Sequence, residues 1–323
     1  MKVLVVRFSS IGDIVLTTPV VRCLKQQIPN IEIHFLTKKK FETILSENPY
    51  IDQLHTIDKS IVELIPALKS LKFDYLIDLH NNLRTRTLAW KLGTTTYRFP
   101  KLNIQKWLYV QFKINQLPKK HIVDRYFEAV KSLSVYNDLL PCDYYIAPED
   151  VVDIKQTLDL EPNNYITFAI GAQFATKRLP NHKIKEICSK ISFPIVLLGG
   201  PEDFKNGEEI RAKLPHVTNT CGKFSLNQSA SIVQQAKTMI THDTGLMHIA
   251  SAFEKQIVSI WGNTTPSIGM YPYMPRKKDF SIHEVPNLNC RPCSKIGFKT
   301  CPKKHFKCME NQDVDAIVRS VIN

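Results

Sequence analysis

Two loops of this 323-residue chain carry side chains that could move a proton or bind a phosphate. In the first, Asp13 follows Gly12, shortly after the apolar run Lys2–Arg7. A carboxylate at that place can take a proton from a substrate hydroxyl, or it can simply cap the first turn of a helix. In the second, the adjacent cations Lys177 and Arg178 precede a predicted helix. They indicate either an anion site or a solvated basic loop.

A third loop, Asp243-Thr244-Gly245, lies where a strand is expected to turn into a helix. Thr244 supplies a hydroxyl, Gly245 supplies bare backbone, and the helix start has a partial positive charge, so a phosphate fits there. An ordinary N-cap in front of a core helix is the structural alternative. Because this loop and Lys177-Arg178 follow neighbouring predicted strands, we expect them to share one diphosphate.

Four of the eight cysteines crowd into the spacing Cys290-x2-Cys293-x7-Cys301-x6-Cys308. Four thiolates over a short span suit a tetrahedral zinc ion, and Cys-x2-Cys is a good half-site, although the second pair lacks that spacing. Reduced thiols without a metal and disulfides are the two alternatives. A structural zinc ion is therefore one of three interpretations, and none of them gives the cysteines a catalytic role.

The composition excludes a mostly disordered chain, since 43% of the residues are hydrophobic and 23% are charged. The formal net charge of +13 favours anionic partners such as nucleic acid, acidic lipid or phosphorylated small molecules. No apolar run approaches the roughly 18 residues that span a bilayer, and Arg7 interrupts the N-terminal apolar run too early for a signal peptide. We therefore expect a cytoplasmic protein.

Apolar strands alternate with amphipathic helices along nearly the whole chain, which indicates parallel sheets covered on both faces. The strands predicted in the first half are Lys2–Arg7, Ile31–Leu36, Gln53–Ile57 and Tyr75–Leu79. Those predicted in the second half are Tyr165–Ile170, Pro194–Leu198, Thr238–Thr241 and Gln256–Trp261. We predict two Rossmann-like, doubly wound α/β domains, residues 1–146 and 147–323, with ligands beyond the carboxyl ends of the strands.

Several blocks resemble the bacterial heptosyltransferases of glycosyltransferase family 9, in the same order along the chain. The most specific are Gly12-Asp13-Ile14-Val15-Leu16-Thr17-Thr18-Pro19 and Asp243-Thr244-Gly245-Leu246-Met247-His248-Ile249-Ala250. The resemblance implies the GT-B architecture, in which two Rossmann-like domains face a central cleft. It also implies an inverting, metal-independent transfer of heptose from ADP-heptose to the lipopolysaccharide inner core. The N-terminal domain would then bind the acceptor and the C-terminal domain the nucleotide sugar.

In this resemblance Asp13 matches the family's general base, which takes the acceptor's hydroxyl proton as the oxygen attacks the anomeric carbon. The departing diphosphate is expected to be stabilised by Lys177, Arg178 and the Thr244/Gly245 turn, without a metal cation. No cofactor is required, because the ADP-sugar is a substrate. The other residues predicted to bind the donor are Gln173, Glu202, Asp243, Leu246 and His248.

Basic residues of the first half are expected to bind an acceptor that carries carboxylates and phosphates. Arg84 and Arg86 follow the fourth predicted strand, and Lys39 follows the second. Such an acceptor lies at the inner face of the cytoplasmic membrane, where the enzyme would be peripheral. The alternative for each cation is a solvated surface. Trp107, in the predicted helix Asn103–Ile114, is expected to pack in a core, with lipid contact as the alternative.

Three other functions stay open. Another GT-B glycosyltransferase, with a UDP or GDP donor, would have the same fold. A nucleic-acid-binding protein with a zinc site would account for the charge and the cysteines, but the chain lacks a recognisable nucleic-acid motif, so we expect no nucleic acid. An NAD-linked oxidoreductase would need the G-x-G-x-x-G fingerprint, which the first loop lacks.

Overall fold

The structure is a computed structural model that describes residues 1–58 and 60–322. The described residues form two compact units. Unit 1 comprises Met1–Leu102 and Lys120–Tyr145, and unit 2 comprises Asn103–Lys119 and the chain from Ile146 onward. The short segment Asn103–Lys119 therefore belongs to unit 2, although the chain on both sides of it belongs to unit 1.

Each unit is built on one parallel sheet of the described residues. The strands of unit 1 are β1 (Lys2–Val6), β2 (Glu32–Lys38), β3 (Gln53–Ile57), β4 (Tyr75–Asp78) and β5 (Thr95–Arg98). Those of unit 2 are β6 (Ile166–Ala169), β7 (Ile195–Leu198), β8 (Val217–Asn219), β9 (Thr238–His242), β10 (Gln256–Trp261) and β11 (Phe280–Glu284). Their orders are β3-β2-β1-β4-β5 and β11-β10-β9-β6-β7-β8, with parallel pairing between neighbours.

Helices connect these strands. In chain order they are α1 (Ile11–Val15), α2 (Thr18–Gln27), α3 (Ile65–Ser70), α4 (Leu83–Leu92), α5 (Asn103–Phe112), α6 (Ile122–Phe127), α7 (Ile154–Leu158), α8 (Asn181–Ser189), α9 (Phe204–Arg211), α10 (Leu226–Gln235), α11 (Gly245–Ala252), α12 (Lys307–Glu310) and α13 (Val314–Ile322). Across the described residues, no helix combines the length and the apolarity that crossing a membrane requires. The predicted doubly wound α/β class is confirmed.

The order of strands reverses once in each sheet, between β1 and β4 in unit 1 and between β9 and β6 in unit 2. Connections leave such a point in opposite directions, so the loops after the two strands diverge and leave room for a ligand. Asp13 follows β1, Lys177 follows β6 and Asp243 follows β9. Three of the predicted site residues therefore lie at the positions where this fold binds ligands.

The apolar residues of Ile14–Ile28 have the spacing of a single helix, but the structure has two helices there, α1 and α2. The side-chain hydroxyls of Thr17 and Thr18 donate to the carbonyls of Ile14 and Val15, at 2.6 and 2.8 Å, where α1 ends. Pro19 then occupies the first turn of α2, the one helical position where its missing N–H costs nothing. The strands β5, β8 and β11 were not predicted, because they are short or partly exposed and carry several polar residues.

The prediction that Trp107 packs in a core is wrong. None of the ten residues of α5, all of them described, is buried. The rings of Trp107 and Phe112 contact each other edge to face, with their centroids 5.3 Å apart, and both side chains remain more than half exposed. Helical spacing of apolar residues predicts a buried face, but here the apolar residues contact each other at the surface and stay exposed.

Arg22 of α2 ties the end of unit 1 to that helix. Its guanidinium is buried and donates to Asp138 at 2.8 and 3.0 Å, and it also contacts Asp143. Burial lowers the pKa of Arg22, but the two carboxylates raise it by more, so the side chain stays charged. Removing one member of such a buried set leaves the others without a compensating charge.

We expect Arg22→Met to lower the free energy of unfolding by about 3–5 kcal/mol, because it leaves two carboxylates near buried apolar residues without their cation. Lys25→Met is the matched control, since Lys25 lies on the same helix and pairs with the more exposed Asp52 at 2.6 Å. That change should cost less than about 1 kcal/mol. Urea unfolding measures both, and equal losses would contradict a special role for Arg22.

Candidate active site

Asp13 lies in the first turn of α1, just beyond the carboxyl end of β1. One carboxylate oxygen pairs with the guanidinium of Arg7. The other accepts hydrogen bonds from the backbone N–H and the hydroxyl of Ser10, at 3.1 and 2.7 Å. These donors stabilise the charged carboxylate, and its side chain is 21% exposed. Asp13 therefore caps the helix and is also accessible to a substrate hydroxyl.

Arg7 holds this carboxylate in place, and its sequence pattern alone does not mark it as a site residue. Its Nε donates to the carbonyl of Ser9 at 2.8 Å, and its Nη1 donates to that of Leu79 at 2.6 Å. Burial lowers the pKa of Arg7, but the charge of Asp13 raises it, and the net shift is upward. The side chain is thus a permanent cation with fixed geometry. Its signal in the sequence was a charge directly at the end of an apolar strand.

His80 follows β4, the neighbour of β1 at the point where the strand order reverses. It was not predicted as a site residue. Its ring lies 5.2 Å from that of Phe8, measured between centroids. Burial, with the charges of Arg7 and Lys101, lowers the pKa of His80 to about 3. The imidazole is therefore neutral at physiological pH. Its backbone N–H donates to Asp78 at 3.1 Å, which fixes the loop after β4.

The predicted acceptor-binding cations occupy two different places in unit 1. Arg84 and Arg86 are exposed in the first turn of α4, which Asn82 caps through a 3.0 Å bond from the N–H of Thr85. They follow β4 and so share the reversal point with the loop of Asp13. Lys39 lies in a 3-10 turn after β2, where it pairs with Glu42.

In unit 2, Lys177 and Asp243 come together from the ends of β6 and β9. The ammonium of Lys177 lies 2.6 Å from the carboxylate of Asp243 and also donates to its carbonyl at 3.2 Å. The hydroxyl of Thr264, beyond β10, donates to the same carboxylate at 2.9 Å. Both charged side chains are about one-sixth exposed, so the pair is accessible to a ligand at one side.

Arg178 is held differently from its neighbour Lys177. Its guanidinium donates to the buried carboxylate of Asp203 at 3.0 Å and to the carbonyl of Ala172 at 2.7 Å. A Cβ on Gly171 would overlap the Asp203 carboxylate, so glycine is required for this close approach. The pair connects the loop after β6 with the loop after β7.

The first turn of α11 presents backbone N–H groups beside the Lys177–Asp243 pair. Thr244 is its N-cap, and within the described residues its side chain makes no capping bond to the helix. Its hydroxyl lies 3.2 Å from that of Thr241. Gly245 and Leu246 are partly exposed, whereas His248 is buried one turn further on.

His242, the last residue of β9, fixes the loop that carries both cations. It is fully buried, and its Nε2 accepts from the N–H of Leu179 at 3.0 Å. Burial, with the nearby charge of Arg178, lowers the pKa of His242 to about 3. The neutral ring is the form that can accept this bond. Of the other residues predicted to bind the donor, Gln173 and Glu202 are exposed in the loops after β6 and β7.

The cysteine segment contains thiols in this structure. All eight cysteines, each of them described, are free. The thiol of Cys293 donates to the carbonyl of Cys290 at 2.9 Å, and burial raises the pKa of Cys293 to about 12 and that of Cys308 to about 11. Among the described residues, no three His, Cys, Asp or Glu side chains are placed to hold a metal ion. These thiols do not present a tetrahedral ligand set, and zinc stays a prediction from spacing alone.

Comparison with known protein families gives a match over most of the chain. Residues 61–304 match the model of glycosyltransferase family 9 (heptosyltransferase). The chain is 25% identical over 301 residues to lipooligosaccharide heptosyltransferase 2 of Haemophilus influenzae, covering 82% of this chain and 84% of that protein.

Two solved structures from Escherichia coli share the fold. One is the ADP-heptose lipopolysaccharide heptosyltransferase II, with a TM-score of 0.71, 19% identity and full coverage of both chains. The other is the heptosyltransferase WaaC with ADP, with a TM-score of 0.70, 20% identity and coverage of 100% of this chain and 99% of that one. These likenesses confirm the predicted GT-B fold.

Lowering the pH from about 6.5 to 5 should destabilise the protein. His80 and His242 have pKa values of about 3 when folded, whereas histidines titrate near 6.5 in an unfolded chain. Below pH 6.5 the unfolded state therefore binds more protons than the folded state. The contribution of the two histidines to the free energy of unfolding is complete above pH 6.5 and is lost as the pH falls. Each histidine contributes at most about 1.4 kcal/mol per pH unit. Urea unfolding at several pH values measures this slope.

Variants separate these two histidines from the rest of the chain. His80→Gln and His242→Gln should each flatten the slope between pH 6.5 and 5, because each removes one titrating group. The control is His182→Gln, since the His182 side chain is 64% exposed, and it should leave the slope unchanged. Unchanged slopes in both test variants would show that neither ring is held neutral.

Proposed function

The chain belongs to glycosyltransferase family 9, and on this basis we propose that it transfers heptose from ADP-heptose to the lipopolysaccharide inner core. The reaction would be inverting and would need no metal ion. The relative from Haemophilus influenzae is a heptosyltransferase, and the two similar structures are named with ADP-heptose or ADP. The observation that carries the proposal is the Lys177–Asp243 pair beside the first turn of α11, where a diphosphate would fit.

Asp13 is proposed as the general base. Inversion requires one displacement, in which the acceptor oxygen attacks the anomeric carbon as the bond to the diphosphate breaks. The hydroxyl proton passes to the Asp13 carboxylate, and ADP leaves. Arg7 and Ser10 hold the carboxylate in a single orientation, so little reorganisation precedes attack.

Charge on the leaving diphosphate is proposed to be stabilised by Lys177, the hydroxyl of Thr244 and the N–H groups of Gly245 and Leu246. Fixed donors aimed at a developing charge usually supply a large share of catalysis. Asp243 positions the ammonium, and His248 is buried further along α11. The exposed Gln173 and Glu202 would reach a phosphate and the ribose hydroxyls.

Arg178 is proposed to brace the loop rather than to contact the donor. Its guanidinium already binds Asp203 and the carbonyl of Ala172. Burial raises the pKa of Asp203, and the charge of Arg178 opposes that rise. The loop that carries Lys177 is therefore fixed before the donor binds.

The acceptor is proposed to bind unit 1. Arg84 and Arg86 follow β4, next to the loop of Asp13, and Lys39 follows β2. Guanidinium groups bind carboxylates and phosphates in a bidentate manner, which suits an anionic inner core. We propose that residues 1–146 take the acceptor and residues 147–323 the nucleotide sugar. The enzyme would act in the cytoplasm, at the inner face of the membrane.

Asp13→Asn should lower turnover at least about 100-fold, because the amide cannot accept the acceptor proton. Release of ADP from ADP-heptose, in the presence of a lipopolysaccharide core lacking heptose, measures turnover. The affinity for ADP should change little. Asp159→Asn, at a fully exposed carboxylate in unit 2, is the control and should keep full activity. Full activity of Asp13→Asn would remove Asp13 from the mechanism.

A thermal-shift series tests the donor directly. ADP at about 100 times its Kd should stabilise the protein by about 2.7 kcal/mol, and UDP, GDP and NAD should not. Stabilisation by UDP or GDP instead would indicate a different nucleotide-sugar donor for the same fold. Lys177→Ala should weaken ADP binding by about 1–3 kcal/mol and leave adenosine binding unchanged, because it removes a contact to the diphosphate.

Two further variants complete that series. Lys205→Ala, at an exposed lysine of α9, is the matched control and should bind ADP like the wild type. Arg178→Ala should lower the melting temperature of the ligand-free protein, because it leaves the buried Asp203 carboxylate without its cation. Unchanged ADP affinity in Lys177→Ala would show that Lys177 does not contact the diphosphate.

A further inference from the structure

The 45 residues between Asp78 and Asp124 include no Asp or Glu. They include nine basic residues, which are Arg84, Arg86, Lys91, Arg98, Lys101, Lys106, Lys113, Lys119 and Lys120. The same run carries large apolar side chains that are between 50% and 81% exposed: Leu83, Trp90, Ile104, Trp107, Phe112 and Ile114. Exposed apolar residues on a purely basic background are not explained by the donor site or by the proposed base.

In unit 1 these features lie on α4. Its buried side, with Leu88 and Ala89, packs on the core of unit 1. Leu83 and Trp90 are seven residues apart and therefore lie on one side of the helix, with Arg86 between them. They are the two most exposed large apolar side chains among the described residues, at 81% and 80%. This face of α4 is both apolar and cationic.

In unit 2 the corresponding element is α5. Ile104, Trp107 and Phe112 are exposed on it, and the two aromatic rings contact each other. Lys113 directly follows the helix, and its ammonium donates to the carbonyls of Cys290 and Pro292, at 3.3 and 2.8 Å. These bonds hold one end of α5 on unit 2, so its apolar side chains project from a fixed position.

We propose that α4 in unit 1 and α5 in unit 2 each bind the surface of a bilayer that contains anionic lipid. Indole rings and aliphatic side chains enter the boundary between headgroups and acyl chains, and Lys and Arg attract the negative headgroups. A nucleic acid would use the cations, but it would leave Leu83 and Ile104 in water. The inference deepens the proposed function and rests on it, because the acceptor there is a lipid.

Tryptophan emission reports directly on these two helices. Trp90 and Trp107 are exposed, whereas Trp261, the remaining tryptophan, is 1% exposed in the core. Vesicles of phosphatidylglycerol and phosphatidylethanolamine should shift the emission to the blue and carry the protein down on sedimentation. Vesicles of phosphatidylcholine should do neither, and 0.5 M NaCl should release most of the bound protein. Equal binding to both kinds of vesicle, or to neither, would overturn the proposal.

Each helix is tested by its own variant. Leu83→Ser with Trp90→Ser in α4, and Ile104→Ser with Trp107→Ser in α5, should each lower the vesicle-bound fraction at least about fivefold. These side chains are exposed, so the variants should melt like the wild type. Tyr136→Ser, at an exposed aromatic residue of unit 1 outside the run, is the control and should bind fully. Full binding by both test variants would overturn the proposal.

Two further measurements separate this inference from its alternatives. Displacement of the protein from anionic vesicles by single-stranded RNA at equal phosphate concentration would overturn the proposal in favour of a nucleic-acid surface. Stabilisation by ADP is measured on the same preparation without lipid. Vesicle binding without ADP stabilisation would support bilayer binding by α4 and α5 and contradict the proposed donor. ADP stabilisation without vesicle binding would overturn the bilayer proposal alone.

Discussion

Each sheet reverses its strand order at one point, and the candidate site depends on this constraint. Right-handed crossovers send the connections after β1 and β4, and after β6 and β9, to opposite faces of their sheets. The loops at these strand ends therefore separate, and their first residues lie at open edges instead of beneath a helix. Asp13 and His80 occupy one such edge, and Lys177 and Asp243 the other. Strand order thus selects which residues of the chain can meet a ligand.

At both edges the charges are paired inside the protein. Arg7 faces Asp13, Lys177 faces Asp243, and Arg178 faces Asp203, each pair with little exposure. Partly buried pairs contribute little to stability, because desolvation offsets their attraction. They instead fix the direction of each charged group before a ligand arrives. In unit 2 the two neighbouring cations have different partners: Lys177 pairs with Asp243 after β9, and Arg178 pairs with Asp203 after β7.

The sequence predicted the parts of this molecule that follow from local pattern. Apolar strands such as β1 and β7 were found, because a central parallel strand is buried on both faces. Asp13, Lys177 and Asp243 were predicted as site residues because each follows an apolar strand, and they lie after β1, β6 and β9. Arg7 and His80 were missed, since their environment arises only when β1 pairs with β4, whose partner residues are 72 positions apart in the sequence. The misplaced core in α5 has the same origin, because periodicity shows that a helix has an apolar side but not what covers it.

The docking of α5 sets an order of events during synthesis. Lys113 is bonded to the carbonyl of Cys290, 177 residues further along the chain. At about 5–20 residues per second, translation needs roughly 10–35 seconds to supply that partner. Unit 1 can form its sheet during this interval, while α5 remains tethered but undocked between two of its segments. A ribosome stalled before Cys290 would therefore carry a folded sheet with an undocked, basic and aromatic helix.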